Sequence, residues 1–172
     1  NYCTTKGANG PTIHDYENPE AGIRFSLASI LKCGATTVVD MGAELGGGSM
    51  DDGMGPMAEA AGELGIRLYT SPGYASAHHY FDQGGRHRMQ WDEEAGLRGL
   101  EKAVEYIKNY DGAFNGRIRG ILVPLEYHTA MHDLLRRTKE AAKELGVGIT
   151  VTSSMLAIFY MFAGRARVED DS

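Results

Sequence analysis

The sequence is short of cysteine and of positive charge, and it has no long apolar run. Its two cysteines, Cys3 and Cys33, cannot build a disulfide framework or a thiolate zinc site. A reducing, cytoplasmic setting is therefore the expectation. Lys and Arg number 17 against 23 Asp and Glu, a net charge of −6. That balance argues against nucleic-acid binding through bulk positive charge and against polybasic attachment to anionic lipid. The most apolar late stretch, Met155 to Ala163, is about half the roughly 18–20 residues of a membrane span. The chain opens at Asn1, and no signal peptide is expected. A processed form or a piece of a longer protein are the two expectations.

What the sequence does have is glycine, 23 of 172 residues, about twice the average share. Many tight turns must be built. At 42% apolar and 23% charged the composition is that of a globular protein, and the length fits one domain, residues 1–172.

Residues 1–18 have no clear period and read as loop. Pro19 opens a helix, with Asn18 as N-cap and Glu20 at the positive end of the dipole. Ile23, Leu27, Ile30 and Leu31 share one face, and Gly34 stops it. Ala35 to Met41 is short and β-branched, with apolar residues at nearly every position. It reads as a strand buried on both sides. Gly42 to Gly55 reads as glycine-rich loop, and Pro56 to Leu64 as a second helix closed by Gly65. Ile66 to Ser71 is a second strand, ended by Pro72-Gly73, and a long polar and aromatic loop runs to Trp91. Asp92 is the N-cap of a third helix with Ala95 at N3. Ile118 to Val123 is a third strand. A fourth helix runs from Thr129, its N-cap, to Leu145, and Val147 to Thr152 is a fourth strand.

This alternation predicts an α/β fold with parallel strands in that spatial order. Two architectures fit it: an open doubly wound sheet, or part of a (β/α)8 barrel, which takes about 250 residues for eight units. Half a barrel would leave two unpaired sheet edges. Self-association or a missing complementary segment is then expected.

Four ordered stretches, Cys33 to Met41, Glu63 to Tyr69, Gly116 to Pro124 and Glu140 to Val147, together resemble the amidohydrolase superfamily. The likeness is to its cytosine-deaminase and chlorohydrolase-like branch, and it runs from about Pro19 to Ser153. It implies a partial (β/α)8 TIM barrel holding about strands two to five with their helices. It also implies metal-dependent hydrolysis of a C–N bond in a small-molecule substrate, by deamination or amide-type cleavage, with a divalent zinc-type ion. The family's strand-one His-x-His is absent among the histidines at 14, 78, 79, 87, 128 and 132. Strand five, which in the family ends in a metal-binding His, here ends in Thr152. No metal is therefore expected on this chain. The alternative to an enzyme is a non-catalytic barrel fragment or an open-sheet protein that binds a small ligand at its strand ends.

Glu126 and Asp40 are the candidate catalytic residues. Glu126 lies just past strand four, near where the resemblance places an acidic ligand, and otherwise it is a solvated loop carboxylate. Asp40 closes strand two, where a carboxylate holds substrate or orients a histidine, or else caps loop N–H groups. Tyr74, His79, Tyr80 and Trp91 are the candidate substrate contacts, since a loop that follows a barrel strand lies on the catalytic face. His78-His79 with His87 reads as polar loop in preference to a metal site. His128 and His132, four apart, would share a helix face, but a start at Thr129 leaves His128 outside and gives the pair a surface role. Gly46-Gly47-Gly48 matches no phosphate-loop pattern, and Cys33 reads as a buried structural thiol.

Overall fold

A computed structural model describes residues 19–41, 51–83 and 86–152, without the side chains at 19, 51–53, 79, 81 and 87. The Asn18 cap, the triple glycine at 46–48, Cys3, His14 and the apolar run 155–163 lie outside the described residues. In chain order the elements are α1 (Pro19–Lys32), β1 (Thr37–Val39), α2 (Asp51–Leu64), β2 (Arg67–Thr70), β3 (Gly73–Tyr74), β4 (Ala77–Phe81), β5 (His87–Trp91), α3 (Glu93–Tyr110), α4 (Ala113–Gly116), β6 (Ile118–Pro124), a 3-10 turn (Tyr127–Thr129), α5 (His132–Leu145) and β7 (Gly148–Ile149).

The main sheet is wholly parallel. Val38 pairs with Leu68, Leu68 with Ile118, and Leu122 with Ile149. The four predicted strands are thus present in the predicted order. β2 and β3 are one strand with a break. Leu68 is level with Ile118 and Gly73 with Val123, so the register is unchanged across it. Pro72 fills the gap and has no N–H to give the ladder. The Ser71 hydroxyl instead donates to the Ile121 carbonyl at 2.7 Å.

One layer of helices covers one face of this sheet. Ile23 and Leu27 of α1, Ala58 and Ala61 of α2, Leu100 and Ile107 of α3, and Leu134 and Ala142 of α5 form a single core with Leu68, Ile118 and Leu122. Each large aliphatic side chain so buried contributes about 1.5–3 kcal/mol. Gly120 lets β6 and α3 meet closely, since a Cβ there would lie 2.6 Å from Ile107 Cγ2.

Among the described residues the opposite face is exposed along β1 and the start of β6, which corrects the expectation of strands buried on both sides there, while Val123 further along that face is fully buried. Val39, Tyr69 and Arg119 form one lateral row on it, with Val39 54% and Tyr69 38% exposed. Near-continuous apolar composition only says that both faces are meant to be covered; here helices cover one. The sheet is also curled. Met41 and Thr152 extend the two outer strands, which a flat sheet would hold about 14 Å apart. Yet the Thr152 hydroxyl lies 3.8 Å from Met41 Sδ.

Four local expectations are corrected. The long loop before Trp91 contains an antiparallel hairpin, β4–β5, with Ala77 opposite Trp91 and Tyr80 opposite Arg88. Gly84-Gly85 between two short runs is its signal. Helix α2 begins at Asp51 and carries Pro56 inside it. α5 begins at His132, not Thr129, because Thr129 instead bonds back to the Glu126 carbonyl through both its N–H and its hydroxyl. Cys33 is exposed, not buried. The predicted cap at Asp92 is present, its carboxylate accepting from Ala95 N–H at 2.8 Å. Gly65 and Gly146, at φ +83° and +68°, end α2 and α5 in left-handed conformation.

Candidate functional site

The carboxyl ends of β6 and β7 bring together the one cluster with reactive chemistry among the described residues. After Pro124 the chain stays extended at Glu126 (φ −139°, ψ 139°) and then coils into the 3-10 turn. Glu126 forms a parallel bridge with Thr152, fixed by N–H donation from Tyr127 to the Thr152 carbonyl and from Thr152 to the Leu125 carbonyl. His128 follows two residues later, and its Nε2 lies 3.2 Å from Glu126 Oε2. Both side chains are largely buried, at 23% and 18% exposure. This is a carboxylate–imidazole pair at the strand ends, beside the Thr152 hydroxyl and Met41.

His128 is the residue that sequence reasoning missed. Its spacing to His132 carries meaning only on one helix, and His128 lies before α5. The partner is Glu126, two residues back, and it is the 3-10 turn after the extended Glu126 that returns the His128 ring to the Glu126 carboxylate. His132 starts α5 and is exposed.

The other predicted residues fall elsewhere. Asp40 is level with Thr70, whose hydroxyl donates to Asp40 Oδ2 at 2.9 Å. Thr70 is fully buried under the helices, so the Asp40 carboxylate faces the helix layer and ties β1 to β2. Burial pushes the nearby Tyr106 phenol well above its usual range, with smaller contributions from Tyr110 and the Asp40 carboxylate. Tyr74 is also in the helix layer, with its hydroxyl 2.9 Å from Thr138 Oγ1 of α5. Burial raises its phenol too, partly offset by that bond. Its side chain packs and does not reach the strand ends. The hairpin register sets Tyr80 and Trp91 on opposite faces, since Tyr80 opposes Arg88 and Trp91 opposes Ala77. Both are about half exposed. His79 lies opposite Met89 in the register.

Among the described residues, no three His, Cys, Asp or Glu side chains converge on a point where a metal ion could sit. The described donors at the strand ends, one carboxylate and one imidazole, fall short of the three protein ligands of a catalytic zinc. The zinc-type ion that the resemblance implies does not fit them. No described helix is long and apolar enough to cross a membrane.

A curled parallel sheet with helices on one face and a polar pair at its carboxyl edge is the layout of a segment of a βα barrel. No protein-family model matches the chain. Among known proteins it is 30% identical over 130 residues to a 5-methylthioadenosine/S-adenosylhomocysteine deaminase of Desulfitobacterium hafniense, covering 76% of this chain and 25% of that protein. It is 29% identical over 125 residues to 5-methylthioadenosine/S-adenosylhomocysteine deaminase 2 of Archaeoglobus fulgidus, covering 73% and 25%. The fold matches atrazine chlorohydrolase TrzN of Arthrobacter aurescens, solved with zinc and atraton, with a TM-score of 0.57 and 20% identity over 77% of this chain and 30% of that one. The chain is thus a distant, partial match to the amidohydrolase superfamily and spans about a quarter of the curated relatives it matches.

Proposed function

We propose that this chain carries part of the strand-end site of a hydrolase that cleaves a C–N bond in a small molecule, by deamination of an amino-substituted ring. The observation that carries the reading is the Glu126–His128 pair, 3.2 Å apart at the carboxyl ends of the parallel strands. The names of two relatives support adenosine-type nucleosides as the substrate class to test. In such a reaction a water oxygen bonds to the ring carbon, the C–N bond breaks, and the amine leaves as ammonia after gaining a proton. A protonated imidazole beside a carboxylate is suited to deliver that proton. Glu126 holds the ring of His128 in place. Trp91, exposed at the end of β5, offers a face on which a heteroaromatic base could stack.

Ammonia release from adenosine-type nucleosides tests the reading. His128→Gln should abolish it, and Glu126→Gln should lower it by about 10²-fold or more, the usual worth of general acid–base catalysis. Release that is unaltered in His128→Gln would refute the assignment. A second reading, binding at the strand ends without turnover, rests on Thr152 standing where the resemblance puts a ligating histidine. Calorimetry showing nucleoside binding with no ammonia formed would favour it.

A further inference from the structure

The turn that carries His128 is short. It holds three residues, Tyr127–Thr129, and 3-10 geometry gives poorer hydrogen bonds than an α-helix. A catalytic ring must nevertheless be held within about 0.5 Å of its working position. Packing of the first residue does not supply that, since Tyr127 is 61% exposed. The turn is instead fixed at its two ends. At the front, Tyr127 N–H donates to the Thr152 carbonyl at 3.2 Å. At the rear stands Thr129, which is buried. Its N–H and its hydroxyl both donate to the Glu126 carbonyl, at 3.1 and 3.0 Å. Its own carbonyl accepts from Ser76 N–H at 2.8 Å. Ser76 in turn joins the two feet of the hairpin, because its carbonyl accepts from Asp92 N–H at 2.7 Å. Thr129 is thus tied both to the residue that bears the carboxylate and to the base of the hairpin.

We propose that Thr129 is a positioning residue, its buried hydroxyl closing the turn onto the Glu126 carbonyl and so setting the His128 ring against the Glu126 carboxylate. The inference rests on the reading of His128 as the proton donor. The bonds from Thr129 to Glu126 close a loop with only Tyr127 and His128 inside it. That loop fixes the backbone angles of His128, and with them the directions its ring can take. The 3.2 Å pair is the result. Without the hydroxyl, the Thr129 N–H is left alone on that carbonyl. The backbone on either side is already extended, at Glu126 (φ −139°, ψ 139°) and at Ala130 (φ −102°, ψ 121°). A turn held by one bond can unwind into that conformation, and the ring then leaves the carboxylate.

Thr129→Val keeps the branched shape and removes the hydroxyl, whereas Thr129→Ser keeps the hydroxyl and removes a methyl. Two readouts on the full chain test the proposal. One is the NMR resonance of the His128 imidazole nitrogen Nε2, with Glu126→Gln marking its position once the carboxylate is lost. The other is steady-state ammonia release from adenosine. In Thr129→Val the resonance should move most of the way to the Glu126→Gln position. Its kcat should fall about 10-fold or more with KM little changed, the scale of a misplaced catalytic group. Thr129→Ser should return both readouts toward the parent values. A resonance that keeps the parent position in Thr129→Val would overturn the proposal, as would a parent-like kcat in that variant. A resonance that ignores Glu126→Gln would overturn it too, because there is then no pair to position. A Thr129→Ser that behaves like Thr129→Val would assign the effect to packing and sink it equally. A parent chain that releases no ammonia refutes the deaminase reading, and the resonance alone then decides the role of Thr129. If circular dichroism shows Thr129→Val unfolded, Thr129→Ala takes its place on the same criteria.

Discussion

Substituting Gly120 tests whether the seam between β6 and α3 is as close as described. A Cβ at Gly120 would stand 2.6 Å from Ile107 Cγ2 and 2.8 Å from Cγ1, well inside van der Waals contact. Both residues are buried, so neither can swing into solvent. Gly120→Ala should therefore cost about 1–3 kcal/mol, the usual penalty for an extra methyl in a packed core. Ile107→Ala alone should cost about 2–5 kcal/mol through lost burial and a cavity. In the double variant the new methyl enters the space that Ile107 leaves, so the combined loss should be less than the sum of the two by about 1–3 kcal/mol. Urea unfolding followed by circular dichroism at one fixed protein concentration reads these values as midpoint shifts. Losses that add to within about 0.5 kcal/mol would refute the contact, since that is how independent sites behave.

Asp92→Ala removes the carboxylate that accepts from Ala95 N–H and should lower stability by about 1 kcal/mol, read by the same unfolding curves. Tyr74→Phe strips a buried bond from Thr138 and should cost about 1–2 kcal/mol while leaving nucleoside binding unchanged; weakened binding would return Tyr74 to the site. Asp133 is held below its ordinary 3.8 by hydrogen bonds from Arg136 and Arg137. A carboxyl whose folded value is depressed stabilises above its unfolded value, and that contribution is lost as pH falls through the folded one. Melting temperature should thus fall more steeply below about pH 3.8 in the parent than in Asp133→Asn.

The parallel strands and their order were legible because each is a short apolar run preceded by a helix and a glycine stop, and local pattern carries that much. Whether both faces of a strand are covered is not local. Val39 and Tyr69 read as core by type, and only the placement of helices decides that they lie open. The hairpin has a signal in Gly84-Gly85, but its strands mix histidine, arginine and aromatics without the clean alternation that marks a strand. At the candidate site, the place of Glu126 just after a strand is legible from sequence. Asp40 was placed at a strand end, but its direction depends on register: level with Thr70, it faces the helices. His128 was hidden because its partner is set by an extended stretch and a 3-10 turn, neither of which has a strong sequence period.

The break at Ser71-Pro72 divides the protection of the backbone. Below it, Leu68 to Thr70 are held by ladders on both sides, from β1 and from the start of β6. Above it, Gly73 and Tyr74 pair in the ladder with the end of β6 while the Tyr74 side chain packs into the helix-covered core, and the hairpin beyond is tied by the Ser76 bonds to Thr129 and Asp92. The hairpin residues, 78–82 and 86–91, lie outside that core and can open while both ladders stay shut. Their amides should exchange with solvent together, and sooner than those of Leu68 to Thr70. Evolution or design can thus reshape the exposed hairpin without disturbing the sheet that supports it.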